Sequence, residues 1–353
     1  MAATGRFWGV VLAAGSGRRL NALTTDASGT VVPKQYCSFM GGTSLLRTTI
    51  ARLSRVVDSS RIVIVVSAMH RRWWEPELAD LPPENIIVQP CDRGTACGLL
   101  LPLTVIEARE PGAGLVVSPA DNWVEDEDAF VWSLVEAQAH VLARPSRLVL
   151  LGMSPDRPDT GYGWITSAPH GTDDVPAVTS FVEKPDAERA DELLRSGALW
   201  SSFTFAVAGG TLMDLFRRTT PWLVHRFTER LVYVPDDRRQ YALLSLYDRL
   251  PTVDFSRRVL EQASGRVHVL PVPPCGWTDL GTPQRVSECA IRRASSSTAP
   301  VRNAARKATP GAAHLPTPPS SRRSCPVDLA EVALRALATN AEDAVGERSA
   351  ERP

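Results

Sequence analysis

The chain has 353 residues, 44% of them apolar, enough to bury one large α/β core or two smaller ones. Lys plus Arg and Asp plus Glu both number 39, and this zero formal charge argues against a general affinity for nucleic acid, which needs a basic surface, while leaving room for a local phosphate pocket. The six cysteines form no CxxC pair and fit no zinc spacing, no stretch is apolar enough to span a bilayer and no secretory leader is read, so a reduced, cytoplasmic protein is expected.

Apolar runs alternate with helix-like segments from the start. Trp8 to Ala13 reads as a buried strand, and Thr43 to Val57 as a helix with Leu46, Ile50, Leu53 and Val57 on one face. Arg61 to Ser67 and Ile86 to Gln89 are buried strands, Gly94 to Ala108 a helix, and Leu115 to Ser118 a strand. Glu125 to Leu142 is a helix with acidic residues in its first turn, where they suit the dipole. Arg147 to Met153 is another strand. This rhythm predicts a mixed, mostly parallel sheet in a three-layer α/β fold, with ligands at the carboxyl ends of its strands. Beyond Met153, strands over Tyr162 to Ser167, Ala177 to Glu183 and Phe203 to Val207 build a substrate-binding half of the same domain. Pro251 to Ala263 and Thr282 to Arg293 read as closing helices. A Ser/Pro/Arg-rich composition from about Ala294 divides the chain into a catalytic domain, residues 1–293, and a linker-like tail, residues 294–353. Within the tail, Val327 to Val345 has the pattern of an amphipathic helix, suited to docking or to a contact between copies in a homo-oligomer.

The polar motifs follow strands. Gly15-Ser16-Gly17-Arg18-Arg19-Leu20 combines glycines that let backbone N–H groups face an anion with arginines able to hold phosphate oxygens. No Gly-Lys-Ser/Thr follows, so it is not a Walker loop, and taken alone it fits a tight turn equally well. Pro33-Lys34-Gln35 offers a point charge to phosphate, or a plain surface lysine. Gln89 to Ala96 joins a strand to a helix N-terminus and suits either base recognition or capping by Thr95. Asp121, at the end of a buried strand, can hold Mg²⁺ against phosphate oxygens. The string Pro155 to Ile165, the segment Phe181 to Pro185, Leu199 to Phe203 and Gly276 to Gly281 complete the set.

In this order the motifs resemble the sugar-1-phosphate nucleotidyltransferase superfamily, and Pro-Lys-Gln looks most like the mannose-1-phosphate guanylyltransferases. The resemblance spans about Phe7 to Ala290 and implies a Rossmann-like, GT-A-like nucleotidyltransferase fold. It further implies that Ala14, Gly15, Gly17 and Arg19 hold the nucleotide phosphates with Lys34, and that Gln89, Gly94 and Thr95 meet the base. Gly161, Glu183 and Ser201 fall at the sugar, Lys184 at its phosphate, and Asp121 and Asp279 at Mg²⁺. The implied substrates are an NTP, foremost GTP, and a sugar 1-phosphate, foremost mannose 1-phosphate. UTP or dTTP with glucose 1-phosphate is the alternative within the class. Three departures stand out. Residues Asn21 to Val32 replace a shorter Trp-Pro-containing linker, Asn122 stands where the family has His, and Ser201 where it has Asn. Asn122 cannot titrate near neutral pH, which excludes acid–base duty there. The second and third departures frame a rival expectation, a catalytically silent nucleotide-sugar sensor. The tail frames another, an interaction protein.

Overall fold

A computed structural model of the protein describes residues 7–26, 28–169, 175–232, 236–263 and 265–297. The tail helix expected over Val327 to Val345 lies outside the described residues. Nine strands form one sheet: β1 (Phe7–Ala13), β2 (Ile62–Ser67), β3 (Ile86–Gln89), β4 (Gly114–Pro119), β5 (Leu148–Met153), β6 (Gly163–Ser167), β7 (Val178–Glu183), β8 (Leu199–Ala208) and β9 (Val267–Pro271). The main path runs β3-β2-β1-β4-β8-β5-β9, with the β6–β7 hairpin attached to the start of β8. Along that path β1, β2, β3 and β4 are parallel, β5 and β9 are parallel, and β8 runs against both its neighbours.

Alternation decides the layers. In β2, Ile62, Ile64 and Val66 enter one core, while Val63 and Val65 enter the other. Both faces are therefore apolar, which forces helices onto each side. Helices Leu45–Leu53 and Glu127–Ala143 cover one face; Gly94–Arg109 and Gly209–Thr219 cover the other. This is the three-layer, mixed sheet expected. The strands of the first half agree with the sequence reading to within a residue or two. The differences lie late in the chain. Residues 251–254 belong to no helix or strand, and only the short helix Phe255–Arg258 and the turn Leu260–Gln262 follow, where one helix was expected. β9, which closes the sheet edge, is five residues long and carries a buried His268, so it has little apolar signature of its own.

The reversed strand matters most for function. Because β8 is antiparallel, its first residues arrive at the same edge as the carboxyl ends of β1, β4 and β5. Loops from both halves of the chain meet there.

Candidate active site

The loop after β1 is fastened from behind. The side-chain amide of Gln35 donates to the carbonyls of Ala13 at 2.8 Å and Gly15 at 2.9 Å. This explains the pairing of a glycine loop with Pro-Lys-Gln: the glutamine anchors the loop, and the lysine beside it is left for the site. Gly17 has φ +58°, and a Cβ there would stand 3.0 Å from Cβ of Lys34, so glycine is required for that approach. Arg19 is exposed on the short turn that follows.

Lys34 is only 5% exposed, yet its ammonium has anionic and dipolar partners. Nζ lies 3.0 Å from Oδ2 of Asp121 and donates to the carbonyl of Asp279. Residues 121 and 279 are brought together by a two-bond bridge, in which the N–H groups of Trp123 and Thr278 each donate to the other's carbonyl at 2.8 and 2.9 Å. Asp121 itself is 41% exposed and opens to the cavity.

Asp279 is held by three donors on one oxygen. Arg285 Nη1 lies at 2.6 Å, the Gly281 N–H at 2.8 Å and the Tyr162 hydroxyl at 3.0 Å from Oδ1. Arg285 is 9% exposed, lies 4.0 Å over the Tyr162 ring and donates its other arm to Asp159. Burial opposes its charge, but Asp279 and Asp159 outweigh that and raise its pKa. Burial, helped by the Asp279 charge, pushes the Tyr162 hydroxyl well above its usual range, so it stays a neutral donor.

A cavity of about 160 Å³ lies against these groups, and Asp121, Gly161, Glu183, Ser201 and Asp279 all line it. Five candidates far apart in sequence thus share one hollow. Lys184 adjoins it with φ +50°, its ammonium 2.9 Å from Oε1 of Glu183. Asn122 is buried, its amide donating to the Ser202 carbonyl at 3.1 Å.

The other candidates lie elsewhere. Ala14, Gly15, Gly17 and Arg19 sit on the β1 loop, outside the residues lining that cavity. Gln89, Gly94 and Thr95 gather at the end of β3, where they are tied to a later segment. The Gln89 amide donates to the Tyr247 hydroxyl at 2.8 Å, and the Thr95 hydroxyl accepts from the Phe255 N–H at 2.8 Å. Gly94 has φ +81°, and a Cβ there would stand 2.3 Å from the Val253 carbonyl oxygen. Sequence reasoning missed Arg285 and the anchoring by Gln35. Arg285 carries one signal: it lies six residues after Asp279, in the first turn of the helix Pro283–Ser297.

Among the described residues, no cluster of three or more His, Cys, Asp or Glu side chains could hold a metal, and no helix is long and apolar enough to cross a membrane. A divalent cation here would therefore rest on one or two carboxylates, with substrate phosphates and water completing its shell, as suits Mg²⁺.

The sequence profile of the nucleotidyl transferase family matches residues 8–294. The chain is 32% identical over 294 residues to a mannose-1-phosphate guanylyltransferase of Escherichia coli, a match covering 79% of this chain and 59% of that protein. It is 30% identical over 286 residues to the alginate biosynthesis protein AlgA of Pseudomonas aeruginosa, covering 77% of this chain and 56% of that one. The chain thus spans under three fifths of the length of these curated relatives. Among solved structures, one described as mannose-1-phosphate geranyltransferase from Thermus thermophilus superposes with a TM-score of 0.69 at 28% identity, covering 80% of this chain and 79% of that one. One from Helicobacter pylori, described as mannose-6-phosphate isomerase, has a TM-score of 0.60 at 20% identity and shows the shared fold alone.

Proposed function

Because the chain belongs to the nucleotidyl transferase family, we propose that it transfers a nucleotidyl group from an NTP to a sugar 1-phosphate, releasing pyrophosphate. GTP and mannose 1-phosphate are the leading pair, supported by the names of the relatives. One observation carries the reading: buried Lys34 joins the Asp121 carboxylate to the Asp279 main chain beside the cavity.

In the proposed reaction a phosphate oxygen of the sugar 1-phosphate attacks the α-phosphorus in line. A new P–O bond forms, the bond between the α-phosphorus and its bridging oxygen to the β-phosphate breaks, and pyrophosphate leaves with that electron pair. Such transfer depends on positioning and charge neutralisation more than on covalent help. The β1 loop presents its N–H groups and Arg19 to the phosphates, while Lys34 holds Asp121 and the Asp279 main chain in a fixed relation. Glu183 and Gly161 face the sugar, and Lys184 holds the attacking phosphate. Asp121 and Asp279 would hold Mg²⁺, which when bound offsets the charge of the triphosphate. Gln89, Gly94 and Thr95 are assigned to the base side, where they set the shape of the β3 end.

The test is to incubate the full chain with Mg²⁺ and a matrix of NTPs and sugar 1-phosphates and measure pyrophosphate. Release is expected, greatest with GTP and mannose 1-phosphate. A higher rate with UTP or dTTP and glucose 1-phosphate would keep the reaction and replace the substrates. Binding of ligands without release from any pair would replace the reading with a silent sensor.

A further inference from the structure

Two departures from the family pattern, Asn122 and Ser201, turn out to be parts of one device. Between Leu150 and Gly152 of β5 the pairing with β8 shifts register: Leu150 faces Phe205, but Gly152 faces Ser201. Three residues of β8 therefore oppose one of β5, and Phe203 at the centre of this bulge has φ +56°. A bulky side chain in the left-handed region is costly and persists only where its surroundings fix it. Four hydrogen bonds do so. The Ser202 hydroxyl donates to the Leu151 carbonyl at 2.9 Å, and the Asn122 amide donates to the Ser202 carbonyl at 3.1 Å. The N–H groups of Phe203 and Thr204 donate to the hydroxyls of Ser201 and Ser202 at 3.3 and 3.2 Å. The Phe203 ring packs edge-on against Phe205 and Phe255, with centroids 6.2 and 6.0 Å apart, and Phe203 is among the residues that line the cavity, with Glu183 and Gly163.

We propose that Phe203 is a specificity-determining residue: the bulge of β8 sets its ring as a fixed wall at the sugar end of the cavity and limits the second substrate to hexose 1-phosphates without an N-acyl group. The proposal rests on the reading of this cavity as the sugar site. The space available, about 160 Å³, is well below the ~300–1,000 Å³ of sites for drug-sized ligands and suits a single ring. The lining beside it is close-packed as well: a Cβ on Gly163 would stand 2.8 Å from the Phe181 ring and 2.9 Å from Oε2 of Glu183. Asn122 is then a positioning residue, holding the bulge that carries the wall.

The experiment compares mannose 1-phosphate with N-acetylglucosamine 1-phosphate in the wild type, Phe203→Gly, Phe203→Ala and Asn122→Ala. It measures kcat and KM from pyrophosphate release, and ligand-induced thermal stabilisation separately. The wild type is expected to favour the plain hexose. In Phe203→Gly the preference should fall by about tenfold or more, mainly through the KM of the acylated sugar, since a pocket wall discriminates by excluded volume. Phe203→Ala should shift it the same way if glycine loosens the strand, and Asn122→Ala should relax it partly. Equal use of both sugars by the wild type, or an unchanged preference in a folded Phe203 variant, would overturn the inference. If no sugar phosphate supports pyrophosphate release, the proposed function fails instead, and stabilisation by the two sugar phosphates still decides the role of Phe203.

Discussion

Arg285 offers the sharpest test of how the site is held together. Its guanidinium bonds Asp279 at 2.6 Å and Asp159, and stacks over Tyr162. Asp159 in turn accepts from the Gly161 N–H at 2.7 Å, so one buried cation links the 159–162 turn to the Asp279 loop. Replacing it with leucine leaves Asp159 and Asp279 without their shared counter-charge. Breaking a buried pair by removing one partner costs ~3–5 kcal/mol. Asp159 and Asp279 are 15% and 19% exposed, so water offsets part of that, and the lower end, about 3 kcal/mol, applies. For a domain of this size each kcal/mol moves the midpoint by ~2–4 °C, which gives a fall of roughly 6–12 °C. Arg285→Lys keeps the charge but not the two-armed geometry or the stacking, and should lose about half as much. Thermal unfolding of the three proteins, with and without Mg²⁺ and NTP, checks both figures. A leucine variant melting within about 2 °C of the wild type, or a lysine variant indistinguishable from arginine, would refute the claim that Arg285 fastens these two loops.

Three further outcomes are expected. Asp121→Asn should abolish Mg²⁺-dependent pyrophosphate release, and near-normal turnover would remove Asp121 from the cation site. Lys184→Ala should raise the KM for the sugar 1-phosphate far more than that for the NTP; the reverse pattern would put Lys184 on the wrong substrate. Glu288 titrates below its ordinary range because Arg157 grips it with two hydrogen bonds, at 2.7 and 3.0 Å. A lowered folded pKa stabilises the protein above the unfolded value, near ~4.3, and that contribution is lost as pH falls through the folded one. Glu288→Gln should therefore melt lower than the wild type at pH 7 and lose that difference in acid; a gap that persists at pH 3 would show that charge is not its source.

How much of this site could be read in the sequence depends on what kind of signal each residue carries. Asp121 lies in a short motif directly after β4, where parallel strands deliver their carboxyl ends to one edge, while Lys34 and Asp279 lie in legible motifs on longer connections that Gln35 and the Trp123–Thr278 bridge bring to that edge. Arg285 belongs to no motif. It is an arginine in a helix with a polar exposed side, and only the helix's approach to the Tyr162 turn makes it a buried cation. Gln89 and Thr95 show the opposite failure: they stand in a legible motif, but their partners, Tyr247 and Phe255, come from a region whose helices have no distinctive pattern. Phe203 was invisible for a deeper reason. A phenylalanine in an apolar strand reads as core, and nothing local marks the register shift that turns it left-handed. That shift arises because the first residues of β8 pair with β5 in one register and the later residues in another, with three side-chain hydrogen bonds from β8's own serines and one from Asn122 paying for the difference. The substitutions that look like losses against the family pattern are, in this fold, the atoms that hold the bulge in place. It follows that exchanging Asn122 or Ser201 alone removes one of the four bonds and should loosen the bulge only in part.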